Sequence, residues 1–274
     1  EAIDTAIAVF ESRYPNLEVV SNAVPGGAGG SMVMKVQVLA LTGNSPESFQ
    51  AHPGLEIEPY DDAGMLYDLT DLWEYAGLSG RIHPRVAQFS QFDGRYLLIP
   101  IGIHKNNVIW YNMHLFKEYD VEVPEQPLTW ERFMALCAEL KEKLPEGKYP
   151  LDLGDRRGWP ATHAFETIMI GTDPQIYEDF INGQATQEQI ELILERFKEF
   201  LSYVAPDHSA RLWYEAAGRL VAGDYAMYLQ GSWMQAYFTS LGWKYGEDYG
   251  VITAPGTYNY FGAAIDGFVV PASS

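Results

Sequence analysis

The run Pro100–Asn112, PIGIHKNNVIWYN, constrains this chain more than any other stretch. A hairpin signal, Asp93-Gly94-Arg95, and the apolar run Tyr96-Leu97-Leu98-Ile99 lead into it. Pro100 interrupts that run, since proline has no amide proton to give a ladder. His104 and Asn107 follow, with Ile103 and Val108 on either side. Ile109-Trp110-Tyr111 closes the stretch and is strongly β-prone. The segment is too long and too uneven for one strand of a compact sheet. It predicts a strand that leaves one lobe and enters another, with polar groups turned toward the cleft between them.

Elsewhere helical and strand patterns alternate, which places the chain in the α/β class. Ala2, Ile3, Ala6, Ile7 and Phe10 recur at helical spacing, and Pro15 ends that helix. Leu17–Val20 reads as a strand. The glycine run Pro25–Gly30 reads as a turn before a helix over Ser31 to about Leu41. It lacks the Gly-Lys-Ser/Thr ending of a P-loop and does not match GxGxxG. Glu47–Ala51 reads as a short strand ending at His52-Pro53-Gly54, where an open α/β sheet binds its ligands. Gln50 and His52, two apart, point the same way along it. Phe133, Leu136, Cys137, Leu140 and Leu144 form a helical core stripe behind an N-cap at Thr129, and Ile190, Ile193, Leu194, Phe197 and Leu201 form another. Trp159–Ile170 reads as a helix, and Gly231-Ser232-Trp233 as a turn into one. The chain is expected to cross between lobes at 108–112 and return near 261–268. The lobes would then be residues 1–109 with 262–274, and residues 110–261.

Eighteen basic residues against 37 acidic ones give a formal charge of −19, a field that repels nucleic acid and anionic lipid. A neutral or cationic ligand is easier to reconcile with it. The single cysteine, Cys137, rules out an intrachain disulfide and falls on a core stripe, so a buried inert thiol is expected. No run of 18 apolar residues is present to span a membrane, and no signal peptide is recognisable. Both ends break off within regular patterns, so the chain reads as cut at both.

No GxSxG, HExxH, CxxC or Walker motif is present. His52, His104 and His163 would have to converge through the fold to hold a metal, without any supporting i,i+3 or i,i+4 spacing. A carboxylate dyad of a glycosidase could hide among the acids, but nothing selects a pair. The distinctive signal is 18 Tyr, 13 Phe and 7 Trp, with Trp159 and Trp233 at loop-to-helix junctions beside polar residues. The C–H face of a sugar ring packs on a flat aromatic, and its hydroxyls pair with Asp, Asn, Gln and His. Against this stands the plain reading that at least half of these aromatics fill cores.

With PIGIHKNNVIWYN, the pieces GGAGGS, SFQAHPG, DGRYLLIP, TWERF, QGSWMQAYF and APGTYNYFGAAIDGF follow in order. The ordered set resembles the sugar-binding extracellular solute-binding proteins of ABC importers, most of all the glucose/mannose-binding subgroup. The resemblance implies the two-lobed periplasmic-binding-protein fold of type II, with hinge strands including Val108–Asn112 and a stretch near Phe261–Asp266. It implies a neutral sugar, glucose or a related monosaccharide, held in the cleft and delivered to membrane permease subunits by hinge closure. It implies no catalysis and no cofactor, a monomer, and a place in the periplasm or outside the cell. Gln50 and His52 would bond hydroxyls from the first lobe, Trp233 would stack from the second, and Asp266 would accept hydroxyl hydrogen bonds. Trp159 matches a position near the cleft. His104 and Asn107 match the motif, with a hinge-shaping role favoured over contact with sugar.

This chain departs from the family pattern in lacking a first strand with a tryptophan-bearing turn, and in lacking the helices and basic or His ligands that follow Asp266 in relatives. An incomplete first lobe and severely weakened sugar affinity are therefore expected. The alternatives are a disaccharide ligand, a metal ligand on the same fold, and a carbohydrate-active enzyme.

Overall fold

The computed structural model describes residues 2–22 and 30–272. Within them the strands build two separate sheets and one short hairpin. Strands β1 (Phe49–Ala51), β2 (Gln91–Phe92), β3 (Arg95–Tyr96), β4 (Ile99–Lys105), β5 (Val108–Asn112), β6 (Tyr149–Asp152), β7 (Tyr225–Leu229), β8 (Tyr249–Thr253) and β9 (Ala263–Val269) follow in chain order. One sheet has the order β1-β9-β4, and the other the order β6-β7-β5-β8. The hairpin is β2-β3, turning at Asp93-Gly94, both of which have positive φ.

The four-stranded sheet is covered on both faces. Every residue of β5 is buried, as in a strand between two helical layers. Ile109 and Tyr111 face one cluster with Phe133, Leu151 and Phe200, while Val108 and Trp110 face another with Tyr228 and Phe238. This is the period-two alternation of a strand read against two cores. The Trp110 indole NH donates to the Gln230 carbonyl at 2.7 Å, so its one polar atom is matched. Each large side chain buried this way contributes about 1.5–3 kcal/mol. Helix Trp130–Lys143 begins at the Thr129 N-cap, whose hydroxyl accepts from the Arg132 amide, and lays Phe133, Leu136, Cys137 and Leu140 into this core.

The three-stranded sheet is covered on one face only. In β9, Ile265, Gly267 and Val269 are buried, and the residues between them are half-buried. In β1, Phe49 and Ala51 are buried and Gln50 is exposed. The covered face packs on Ile57, Leu97 and Leu98. The other face carries Gln50, Asp266 and His104.

The chain passes from one sheet to the other between β4 and β5, at Asn106-Asn107, and returns after β8 through residues 254–262. Val108–Asn112, expected as hinge strand, lies wholly in the four-stranded sheet. The change of sheet falls just ahead of it, because the ladder to β9 ends at Lys105 and the ladder to β8 begins at Val108. The expected boundary at 109/110 therefore cuts through β5.

Three further expectations are corrected or left aside. Leu17–Val20 is not a strand: no described strand pairs with it, and Leu17 and Val20 are 56% and 71% exposed. The stripe on helix Gln187–Leu201 is shifted, with Leu194 facing solvent and Phe200 in the core beside Ile193. Residues 25–29 of the glycine run lie outside the described residues, and Gly30 opens helix Gly30–Leu41. No helix among the described residues is long and apolar enough to cross a membrane.

Candidate functional site

The polar face of the three-stranded sheet is organised around Asp266. Asp266 pairs in register with Gly102 of β4. Gly102 has no side chain to fill the gap, and a Cβ there would stand 3.2 Å from His104 Nε2. His104, two residues on and on the same face, places Nε2 3.0 Å from Asp266 Oδ2. Gln50 of β1 donates its amide to Asp266 Oδ1 at 2.9 Å. His52, just past β1, places Nε2 3.0 Å from the same oxygen. Its other nitrogen, Nδ1, lies 2.7 Å from Glu56 Oε2.

This geometry fixes charge. Both ring nitrogens of His52 face carboxylate oxygens, so both donate, and the ring is an imidazolium. The hydrogen bond to Asp266, then that to Glu56, raises its pKa to about 10, against a smaller opposing effect of burial. Burial alone would raise the Asp266 carboxyl, but the donors from His104, His52 and Gln50 outweigh it and hold it well below the usual carboxylate range. An ionised carboxylate offers about four acceptor positions. Three are taken here, which leaves Asp266 about one for any further donor.

Facing this network from the other side of the crossing is a group of aromatic rings. Trp233 caps the short helix Met234–Ser240, and Trp159 opens helix Trp159–Thr172. Their rings meet edge to face at 6.0 Å. The Trp233 ring lies across Gly231, where a Cβ would come within 2.1 Å of it, so only glycine permits this placement. His104 meets Trp233 edge-on at 5.5 Å. His163, one turn beyond Trp159, stacks on it at 6.4 Å and stands 6.3 Å from Trp233.

Ser232 joins the two groups. The Ser232 hydroxyl lies 3.4 Å from His104 Nδ1, and the Ser232 amide donates to the Lys105 carbonyl at 2.8 Å. His163 Nε2 lies 2.7 Å from the Asn106 carbonyl. The crossing segment is thus held by side chains of the four-stranded half.

The structure brings Gln50, His52, His104 and Asp266 into one network, with Trp233 and Trp159 beside it. Asn107 stands apart. It is 1% exposed, its Nδ2 donates to Thr257 Oγ1 at 2.9 Å and to the Tyr260 carbonyl at 3.1 Å, and its Oδ1 accepts from the Gly262 amide at 2.9 Å. A side chain so fully engaged has nothing left for a ligand, so Asn107 is removed from the candidate contacts and assigned to holding the two crossing segments together. The three histidines considered for a metal form no such cluster: His52 and His104 both bond Asp266, and His163 bonds the Asn106 carbonyl through Nε2. Among the described residues no three His, Cys, Asp or Glu side chains are arranged to hold an ion. Glu56, Ser232 and His163 were missed as partners in sequence. The i,i+4 spacings His52–Glu56 and Trp159–His163 were the available signals.

The model of the family "Bacterial extracellular solute-binding protein" matches residues 1–274. An ABC transporter extracellular-binding protein of Pyrococcus horikoshii is 38% identical over 100% of this chain, and the chain spans 61% of that relative's length. The glucose-binding protein GlcS of Saccharolobus solfataricus is 24% identical over 99% of this chain, which spans 52% of it. Among solved structures, the bacterial solute receptor AcbH, described with a preference for β-D-galactopyranose, superposes with a TM-score of 0.81 at 21% identity. That superposition covers 100% of this chain and 68% of the receptor.

Proposed function

Because the chain belongs to the family of bacterial extracellular solute-binding proteins, we propose that it captures a neutral sugar, glucose or a related monosaccharide, and hands it to an ABC importer by hinge closure. Its architecture is the two-lobed α/β fold of type II periplasmic binding proteins. In this reading the lobes comprise, among the described residues, those up to 105 together with 263–272, and residues 106–262, as the ends of the two ladders support. The observation that carries the reading is the pairing, across Ser232, of a hydrogen-bonding face with an aromatic wall. A sugar ring presents both surfaces, hydroxyls at its rim and C–H groups on its face.

In this reading Gln50 and the remaining acceptor position of Asp266 meet hydroxyls. His52 and His104 hold Asp266 in place, and Trp233 stacks on the ring with Trp159 beside it. The His52 imidazolium is already paired with both Asp266 and Glu56, so the site offers hydrogen bonds and not an unpaired positive charge for an anionic ligand. Binding of this kind needs no activated nucleophile and no cofactor. The site of action is the periplasm or the cell exterior, the partners are the permease subunits of the importer, and the protein works as a monomer.

Isothermal titration with glucose, mannose, galactose and maltose tests the proposal. One-to-one binding of a monosaccharide is the expected result. Tighter binding of maltose moves the ligand class to disaccharides, and the absence of heat with all four, even at sugar concentrations high enough to reveal weak binding, contradicts the reading.

A further inference from the structure

His163 has a second ring nitrogen that the network above does not use. The carbonyl of Asn106 only accepts, so the Nε2 atom 2.7 Å from it carries the proton. His163 is buried, and burial lowers its pKa to about 4 against a smaller raising effect of the Asn106 bond, so the ring is neutral near pH 7. Nδ1 is therefore a bare lone pair. Among the described residues it has no hydrogen-bond partner. A buried polar atom left unmatched is costly, and natural folds carry few of them.

The place of this atom gives it a use. The ring is flanked by Trp159 and Trp233, both half-buried, and these touch each other only edge to face. Trp159 is the first residue of its helix, preceded by Gly158 at φ 81°, a position with little packing ahead of it. His163 follows it by four residues and so shares its side of the helix. Holding the Asn106 carbonyl needs a donor at Nε2 alone, which a glutamine amide would supply equally well. The acceptor on the far side of the ring is surplus to that task.

We infer that Nδ1 of His163 is an additional acceptor for a saccharide hydroxyl, reached when the ligand parts the Trp159 and Trp233 rings. The inference rests on the sugar-binding reading and adds a specificity-determining residue to it. A ligand hydroxyl donating to Nδ1 would satisfy the atom, and a sugar lacking that hydroxyl would leave it unmatched.

Two variants separate the two nitrogens. In His163→Gln the longer amide reproduces the donor to Asn106 and removes the acceptor. In His163→Asn the amide oxygen takes the place of Nδ1 and the bond to Asn106 is lost. Calorimetric titration of wild type with the bound monosaccharide and its monodeoxy analogues is expected to show one analogue weaker by about tenfold through this contact. His163→Gln loses that discrimination, and His163→Asn keeps it while binding both sugars more weakly. Retained discrimination against every monodeoxy sugar in His163→Gln overturns the inference and leaves sugar binding standing. A wild type that binds no saccharide overturns both. Nitrogen-15 NMR of wild type is independent of variant folding: saturation with sugar should move the His163 Nδ1 resonance upfield, and an unmoved resonance contradicts the contact.

Discussion

His104 Nε2 stands 3.0 Å from Asp266 Oδ2, bonding two neighbouring strands through their side chains on the one face of the sheet that no core covers. The contact matters because His104 is also the last side chain but one before the chain leaves that sheet. Its other nitrogen meets Ser232 in the opposite half. Asp266, remote in sequence, thereby sets the position of the crossing and of the loop that carries Trp233.

Replacing Asp266 by asparagine keeps the shape and removes the charge. His52 then keeps only Glu56 as an acidic partner, and its pKa is expected to fall clearly below about 10. Sugar affinity should drop by about 1.5–3 kcal/mol, the range for hydrogen bonds to charged groups. NMR titration of the His52 ring and calorimetry check the two halves of this prediction.

The same pair gives stability a pH dependence. His52 is protonated more readily in the fold, at about 10 against an ordinary value of 6.5. Its contribution is therefore complete below pH 6.5 and is lost as the pH rises from 6.5 to 10. For Asp266 the shift is downward, so its contribution is present above the usual carboxylate range and lost as the pH falls through and below it. The stability gap between wild type and His52→Gln should be widest near pH 5–6 and shrink toward pH 10. The side chain is 31% exposed, so solvent screening limits the change to about 1–3 kcal/mol. Urea unfolding across that range measures it.

Trp233→Ala removes the proposed stacking surface and should cost about 1–3 kcal/mol of sugar binding. Gly231→Ala reaches the same surface indirectly. Its Cβ would overlap the Trp233 ring at 2.1 Å and push it aside, so binding should weaken although every candidate contact residue is retained. Titration of both variants, with circular dichroism to verify the fold, checks the pair.

Asn107→Ala should cost about 1–3 kcal/mol of stability, since it removes a buried side chain and leaves the half-buried Gly262 amide without its acceptor. The loss should be local. Hydrogen exchange is expected to speed up across residues 254–262 and to change little in β6 and β7.

Much of the fold was legible because its signals are local. Ile109-Trp110-Tyr111 announces a strand, and Pro100 with the polar residues after it announces a passage from one lobe to the other. Gln50 and His52 could be placed on one side by strand period alone. Asn107 could not be separated from His104 in this way, because its partners Thr257 and Tyr260 lie about 150 residues on. The same holds for the imidazolium state of His52 and the crowded acceptor shell of Asp266, which depend on side chains of β1, β4 and β9 and of residues 52–56 meeting in space. Leu17–Val20 misled because β-branched residues favour a strand only when a partner ladder exists.

The central claim is that the Asp266 network and the Trp233 ring hold one sugar between them, and a crystal structure of the protein with its bound monosaccharide tests it most directly. The account predicts the pyranose face lying on Trp233, with ring hydroxyls within hydrogen-bond distance of Gln50 and Asp266. A sugar bound elsewhere, touching neither Trp233 nor Asp266, would contradict it.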